Sequence, residues 1–317
     1  MRSSSIFIAL AGLIFTVPAQ AEIFELPPEG YDVVGAVSTI TARYEDTLID
    51  IARRHGLGYE DIVRANPDLN IWLPGEGTEV VLPTRYVLPA GAREGVVLNL
   101  AEYRLYYFPE PKEGEPAYVM TYPISIGRMD WETPLGTTEI ISKVVNPAWY
   151  PPQSVREEHA AEGDPLPRIV PPGPKNPLGK YALRLSMPGY LIHSTNKPAG
   201  VGMRVSHGCV RMFPEDIEFL FGLVGIDTKV RIVNEPVKFG WNGGELVMES
   251  HPKLEEGDKD PLTKMTELFI SATGERAGEL DWHLAEEIVG RSDGIPASVG
   301  EEHKKRRDKR GVGIISL

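Results

Sequence analysis

The sequence predicts a mainly β fold, and three observations support that prediction. The 317 residues include 32 glycines and 28 prolines, which favour turns and short strands over long helices. Short apolar runs bounded by turn residues recur from about residue 86 to residue 237. Hydrophobic residues make up 42% of the chain, which is enough for buried cores and argues against wholesale disorder. A chain of this length accommodates two or three modest domains.

The first 21 residues have the pattern of an export signal. Arg2 gives a positive start, the apolar run IFIALAGLIFTV follows, and AQA ending at Ala21 is a small-x-small cleavage site. The alternative is a membrane anchor, but the apolar run is short for a helix that spans a bilayer. We therefore expect cleavage after Ala21 and an exported mature protein without stable membrane insertion.

The net charge and the cysteine content indicate which kinds of partner and which cellular compartment suit this chain. The formal net charge of −12 at pH 7 argues against a nucleic-acid partner, because phosphate binding needs a basic surface. The basic cluster KKRRDKR at 304–310 is interpreted as a solvated tail. Cys209 is the single cysteine, so it has no disulfide partner within the chain after export. Such a thiol is either a buried small hydrophobe or a group kept for chemistry.

Residues 22–40 are expected to form a lead-in strand and linker, and residues 41–84 a small α+β module. The pair Asp46-Thr47 can cap a short helix that Gly56 ends, and a second short helix and the strand GTEVVLP follow. This run resembles the LysM family, with which it shares DTL, IA, AN and G-x-x-V-x-x-P. The resemblance implies a shallow groove for glycans built on N-acetylglucosamine, including peptidoglycan. The alternative is that the module is only a folding spacer.

From residue 86 to about 145 the sequence predicts successive strands. GVVLNLAEYRLYYF predicts a hairpin with its turn at Asn99–Glu102, and AYVMTYPISIGRMD and GTTEIISKVV predict further strands around the Pro–Gly turn TPLGT. Residues 146–178 hold too many prolines for a sheet interior. Such an insert is a functional lid or a disordered link, and its helical stretch SVREEHAA and aromatic Trp149 and Tyr150 favour an ordered lid.

The remaining chain begins with strands and ends in a polar extension. YALRLS and YLIHS predict strands, PEDIEFLFGLV predicts an amphipathic helix, and TKVRIVNEP predicts a closing strand. Residues 238–317 are more polar, with candidate helices at 261–272 and 280–290 and no catalytic signature. The sequence assigns this C-terminal extension no role.

Chemistry-bearing residues concentrate in IHSTNKPAGVGMRVSHGCVRM, residues 192–212. A cysteine nucleophile needs a group that takes its proton, and imidazole is the usual one. His207 precedes Cys209 by two residues, so an extended backbone puts both on one face. His193 lies sixteen residues before Cys209 at the end of a predicted strand, and a glycine-containing loop can return it to the thiol. These three residues are also possible metal ligands, although zinc sites usually show clearer paired spacings.

The combined pattern H-S-T…S-H-G-C-V-R resembles the catalytic signature of the L,D-transpeptidase (YkuD-type) family. YPISIGR, TPLGT, NPLGKYALRLS, YLIHSTN and VRIVNEPV follow the family's order over residues 95–237. A LysM module in front is typical of the branch found in Gram-negative envelopes. The resemblance implies a β-sandwich-like catalytic domain with a Pro-rich lid at about 146–178. Some members of the wider family carry Asn where this chain has Arg211.

The resemblance also implies roles for individual residues. Cys209 is the expected nucleophile, and His193 is its expected general base and acid. Ser194 is expected to orient the imidazole, through its backbone carbonyl. The backbone N–H groups of His207, Gly208 and Cys209 are expected to form an oxyanion hole, with the His207 ring lining the cleft.

Two arginines, Arg204 and Arg211, are candidates for binding substrate carboxylates, with structural ion pairing as the equal alternative. The implied reaction needs no cofactor and no metal. A thiolate attacks the carbonyl at the L-centre of a tetrapeptide stem and releases D-alanine, and an amine then resolves the acyl-enzyme. The implied compartment is the periplasm.

Several alternatives stay open at this point. The acceptor amine belongs either to another stem peptide, which gives a 3-3 cross-link, or to a lysine of an envelope lipoprotein. A hydrolase of the same fold, of the L,D-carboxypeptidase or amidase type, uses the same acyl-enzyme. A non-catalytic peptidoglycan-binding protein is the third reading. We also expect that deletion of residues 41–84 weakens wall binding and spares acylation.

Overall fold

The computed structural model describes residues 22–254, 261–274, 276 and 278–302. The predicted export signal at 1–21 and the basic cluster at 304–310 lie outside the described residues. In the part of the chain that is described, no helix is both long enough and apolar enough to cross a membrane.

Strands dominate the described residues, as the sequence predicts. The strands before the Pro-rich insert are β1 (Glu22–Glu25), β2 (Val33–Thr41), β3 (Glu79–Val87), β4 (Gly95–Asn99), β5 (Arg104–Phe108), β6 (Tyr118–Pro123), β7 (Ile126–Gly127) and β8 (Gly136–Val145). The strands after it are β9 (Tyr181–Leu185), β10 (Leu191–His193), β11 (Arg204–Ser206), β12 (Val210–Arg211), β13 (Lys229–Val233), β14 (Val237–Asn242), β15 (Glu245–Ser250), β16 (Gly278–Leu280) and β17 (Ala297–Glu302). The helices are α1 (Leu48–Arg54), α2 (Tyr59–Ala65), α3 (Gln153–Ala161), α4 (Pro214–Leu223), α5 (Pro261–Thr273) and α6 (Trp282–Arg291).

Nine strands form one curved sheet in the order β1-β6-β5-β4-β13-β8-β9-β10-β12. Arg211 and Ser125 exchange two backbone hydrogen bonds, which return the β12 edge to the segment after β6. The sheet therefore curves back on itself and encloses one apolar core, into which α4 buries Ile217 and Leu220. This arrangement confirms the predicted β-sandwich-like fold class.

The α+β module is a strand pair covered by two short helices. β2 and β3 pair antiparallel along their whole length, and α1 and α2 pack apolar residues against them. The Thr47 hydroxyl oxygen accepts a hydrogen bond from the Asp50 N–H at 3.0 Å, which caps α1 as predicted. β2 lies in the stretch predicted as lead-in and linker, while β1 joins the large sheet beside β6.

The C-terminal extension contains a folded unit with a core of its own. Its four-stranded sheet has the order β14-β15-β17-β16, and α5 and α6 are the two helices predicted there. Buried side chains from the sheet and both helices, including Trp241, Met248, Met265 and Ile288, form this core.

Buried charges join the three parts of the chain. Arg104 of β5 is fully buried and donates to the Asp61 carboxylate of α2 at 2.5 Å. Lys238 of β14 donates to Glu102 and to Glu249, each at 2.8 Å, and all three side chains are buried. Buried charges are tolerated only when they are paired, so these contacts hold the α+β module and the C-terminal unit against the large sheet.

One group in this network has the composition of a metal site. Glu102, Glu249 and His251 bring their ligand atoms within 4.8 Å of one another. The Lys238 ammonium contacts both carboxylates and supplies the positive charge there. We therefore interpret the group as an ion network.

Loss of the Asp61 charge is expected to destabilise the whole protein. Asp61→Asn removes the nearest counter-charge of the buried Arg104 guanidinium and leaves only Glu102 at 3.9 Å, which costs about 3 kcal/mol in the free energy of unfolding. Urea unfolding of the purified protein measures this. Asp68→Asn is the matched control, because Asp68 is an exposed carboxylate on the same module. Equal stability of the two variants would contradict the prediction.

Candidate active site

A cavity of about 760 Å³ opens beside strands β9, β10 and β12 and beneath the 146–178 insert. Its walls combine aromatic and aliphatic side chains of the insert with polar groups of the strands. Among the residues that line it are Trp149, Tyr150, Val155, Leu178, Arg184, Tyr190, His193, His207, Cys209 and Arg211. Four of the residues singled out in the sequence therefore lie around one space: His193, His207, Cys209 and Arg211.

The register of β10 and β12 explains why the distant histidine reaches the cysteine. The two strands are parallel, with Ile192 opposite Val210 and His193 opposite Arg211. Alternate residues of a strand share a face, so Cys209, immediately before β12, points to the same side as Arg211. His193 therefore faces the cavity with both of them. Parallel neighbours need a long crossover, which residues 194–209 provide.

His193 is held in one orientation by its neighbour. Its Nδ1 lies 2.6 Å from the carbonyl oxygen of Ser194, and because a carbonyl oxygen only accepts, Nδ1 carries the proton. Burial, reinforced by the positive charge of Arg211, lowers the pKa of His193 to about 3. The imidazole is therefore neutral, with an unprotonated Nε2 that can act as a general base.

Cys209 is half-buried, with its Sγ 3.6 Å from the carbonyl oxygen of Gly189. Burial raises the pKa of the thiol, and the nearby charge of Arg211 opposes only part of that rise. The resting site therefore holds a neutral thiol beside a neutral imidazole.

His207 lines the same cavity but is engaged elsewhere. Its Nε2 lies 3.1 Å from the Glu158 carboxylate of α3, and its ring meets the Trp131 ring edge-on at 5.2 Å. Burial lowers the pKa of His207, although the hydrogen bond to Glu158 counters this. The Nε2 of His207 faces α3. His193 is therefore the better placed of the two histidines to take a proton from Cys209.

A tight backbone turn precedes the thiol. Gly208 has a φ of 95°, and a Cβ there would lie 3.1 Å from the Tyr190 ring, so the position requires glycine. The Thr133 hydroxyl donates to the Gly208 carbonyl at 2.8 Å, and the Ser206 hydroxyl donates to the Cys209 carbonyl at 2.5 Å. These bonds fix the turn that would present an oxyanion hole. Sequence reasoning did not single out Thr133, although it lies in the quoted TPLGT segment.

The crossover between His193 and Cys209 rests on the α+β module. The N–H groups of Tyr59 and Glu60, at the start of α2, donate to the carbonyls of Val201 and Gly202 at 2.9 and 3.3 Å. A Cβ on Gly202 would lie 2.5 Å from the Gly58 Cα, so the two backbones touch. Removal of residues 41–84 would take these donors from the crossover. The deletion is therefore expected to disturb the crossover, contrary to the expectation from the sequence that it spares acylation.

The 146–178 insert is ordered by one buried amide. The Asn176 side chain donates to the Pro147 carbonyl at 2.9 Å and accepts from the Leu178 N–H at 2.9 Å, which ties the two ends of the insert together. In the middle of the insert, Glu158 of α3 pairs with Arg128 and with His207 across the cavity. Sequence reasoning singled out the aromatic residues of this segment but neither Asn176 nor Glu158, whose partners are remote in sequence.

The two candidate carboxylate-binding arginines have different environments. Arg204 donates to the carbonyls of Gly127 at 3.2 Å and Leu254 at 2.6 Å, and it is not among the residues that line the cavity. These contacts favour the structural alternative for Arg204 over the binding of a substrate carboxylate. Arg211 does line the cavity, and its buried Nε has no hydrogen-bond partner within the described residues.

Comparison with known proteins finds the same two families that the sequence motifs resemble. A family model for the L,D-transpeptidase catalytic domain matches residues 93–232, and one for the LysM domain matches residues 40–74. "Probable L,D-transpeptidase YcfS" of Escherichia coli (strain K12) is 35% identical over 306 residues, which cover 94% of each chain. "Probable L,D-transpeptidase ErfK/SrfK" of Salmonella typhimurium is 36% identical over 312 residues, which cover 94% of this chain and 98% of the relative.

The neutral state of the thiol predicts how Cys209 reacts with pH. Below the raised pKa, its alkylation by iodoacetamide should accelerate about tenfold per pH unit, because the thiolate fraction rises in that proportion. At neutral pH it should be slower than alkylation of N-acetylcysteine. Mass spectrometry of the single-cysteine protein measures the rate, with Cys209→Ala as the blank. A rate that stays level below neutral pH would reveal a preformed thiolate–imidazolium pair instead.

Proposed function

The chain belongs to the L,D-transpeptidase family, and from this we propose that it acts on peptidoglycan stem peptides through an acyl-enzyme on Cys209. Full-length relatives at 35% and 36% identity establish the family. The observation that carries the mechanism is the parallel pairing of β10 with β12, since it turns His193 toward the cavity beside Cys209. Both groups have protonation states that suit nucleophilic catalysis with a neutral base.

In the first half of the proposed reaction, the Nε2 of His193 takes the thiol proton as Sγ attacks the carbonyl carbon at the L-centre of the stem tetrapeptide. The carbon–nitrogen bond to the terminal D-alanine breaks, and the imidazolium returns its proton to the leaving amine. A thioester with Cys209 remains. The backbone N–H groups of His207, Gly208 and Cys209 would stabilise the tetrahedral oxyanion.

In the second half, an amine acceptor gives its proton to His193 and attacks the thioester, so that a peptide bond forms and the thiol is restored. The acceptor is the side-chain amine of another stem peptide or a lysine of an envelope lipoprotein. Water at the same position would make the protein an L,D-carboxypeptidase-type hydrolase. The insert supports transfer, since Trp149 and Tyr150 line the cavity and give it apolar walls beside the thiol, where water is a poorer competitor.

The LysM module supports binding to the glycan strands of the wall. Tyr44, Trp72 and Leu73, from the loops that flank the two helices, expose 81%, 64% and 74% of their surface. The Asn70 side-chain oxygen accepts from the N–H groups of Trp72 and Leu73, which holds that loop in shape. Exposed aromatic groups of this kind mark interaction surfaces and suit the faces of sugar rings.

We further propose that the protein works in the periplasm. The leader pattern of residues 1–21 supports export, and a single thiol cannot be lost to an intrachain disulfide in an oxidising compartment. A substrate in the cell wall is accessible there.

Replacement of the nucleophile tests the mechanism directly. Cys209→Ala should abolish both D-alanine release and the covalent adduct, while the thermal unfolding midpoint stays close to that of the wild type. Mass spectrometry of products from tetrapeptide muropeptides, with a stem peptide or a lysine-bearing lipoprotein peptide as acceptor, measures this and identifies the acceptor. Normal product formation by the variant would refute the cysteine mechanism, and tripeptide as the sole wild-type product would favour the hydrolase.

The insert should control the balance between transfer and hydrolysis. Glu158→Gln removes the charged contacts to Arg128 and His207, and since such solvent-screened pairs are weak, the hydrolysed share should rise only roughly two- to fivefold. The ratio of tripeptide to cross-linked product measures the effect. Glu157→Gln is the matched control, because its carboxylate contacts only Gln153 among the described residues. An unchanged ratio in Glu158→Gln would argue against this role.

A further inference from the structure

Arg184 lies in the same cross-strand row as the nucleophile. β9 and β10 are antiparallel with Arg184 opposite Leu191, and in the next pair Ile192 lies opposite Val210. One residue earlier in both β10 and β12, Leu191 lies opposite Cys209. The row of neighbouring residues across the three strands is therefore Arg184, Leu191 and Cys209. Residues in one row of a sheet point to the same face, so Arg184 and Cys209 both face the cavity, which both line.

The guanidinium of Arg184 is free to bind a ligand, because no described side chain pairs with it. Two strand spacings separate it from Cys209, which is about 10 Å between Cα atoms. Its side chain is exposed at the cavity wall, and within the described residues it makes no hydrogen bond or ion pair with another side chain.

The cavity itself is positive in a strongly acidic protein. The formal net charge of the chain is −12, yet no described Asp or Glu lines the cavity, whose charged lining residues are Arg184 and Arg211. Two cations with no carboxylate beside them, in a largely apolar space, are suited to a ligand with two negative groups.

We propose that Arg184 determines donor specificity for a stem peptide whose third residue is a diamino diacid, a residue with both an amine and a carboxylate at the end of its side chain. Arg184 binds that side-chain carboxylate. The inference rests on the proposed function, which identifies the donor. The terminal carboxylate of the donor is one residue from the attacked carbonyl, and Arg211 is the nearer cation, about 7 Å along the strand from Cys209. The α-carbon, three methylenes and the amine-bearing carbon separate the side-chain carboxylate from the attacked carbonyl carbon, so it extends to the more distant Arg184.

The test compares Arg184→Gln with the wild type on three synthetic tetrapeptide donors. One donor has free carboxylates, one is amidated at the side-chain carboxylate of the third residue, and one is amidated at the terminal D-alanine. The rate of transfer to a fixed amine acceptor gives kcat and KM for each. Arg168→Gln is the matched control, since Arg168 is an exposed arginine that is not among the residues lining the cavity. Alkylation of Cys209 by iodoacetamide checks that the site is intact.

Arg184→Gln should lose about tenfold to a hundredfold in kcat/KM on the free donor, mainly through KM, because a charge-assisted hydrogen bond is lost. It should lose nothing further on the side-chain-amidated donor, which the wild type should already use poorly, and Arg184→Lys should recover part of the loss. An equal loss on all donors, a loss removed only by terminal amidation, or no loss would each overturn the proposal. If the wild type is inactive on every donor, the proposed function itself is refuted. The wild-type assay gives this result before any variant is tested, so the two failures are distinguishable.

Discussion

The parallel pairing of two short strands, β10 and β12, is the constraint on which the site depends. A parallel pair cannot be closed by a tight turn, so the chain needs the crossover of residues 194–209 to bring the cysteine beside the histidine. That crossover is held from outside. The first N–H groups of α2 bond to its carbonyls, and the Ser125 hydroxyl donates to the Gly200 carbonyl at 2.8 Å. The LysM module is thus also part of the scaffold of the candidate active site.

Negative and positive charges occupy different parts of the molecule. Among the described carboxylates, Asp61 pairs with the buried Arg104, and the buried Glu102 and Glu249 pair with Lys238, so these charges have counter-charges close by. The cavity instead holds cations and an imidazole that burial keeps neutral. A low pKa of His193 and a raised pKa of Cys209 both follow from the same dry surroundings, which favour neutral forms.

Local patterns in the sequence were sufficient for much of the fold. The β4–β5 hairpin, the Thr47 cap of α1, the helix within the insert and both C-terminal helices form where the sequence predicts them. These features depend on capping groups, turn residues and apolar spacing within a few positions, so they need no knowledge of distant contacts. The buried ion network was not predictable, because it joins residues of different elements, with 43 positions between Arg104 and Asp61 and 136 between Lys238 and Glu102.

The sequence by itself determined which family the chain resembles, and that resemblance is what proposes Cys209 as nucleophile and the distant His193 as its base. Only the tertiary structure decided that Arg204 supports a carbonyl network while Arg211 and Arg184 face the cavity, and that Glu158 closes the insert onto His207. The physical reason is strand register. A shift of one residue turns a side chain to the opposite face, and register is set by long-range hydrogen bonds rather than by neighbours in sequence.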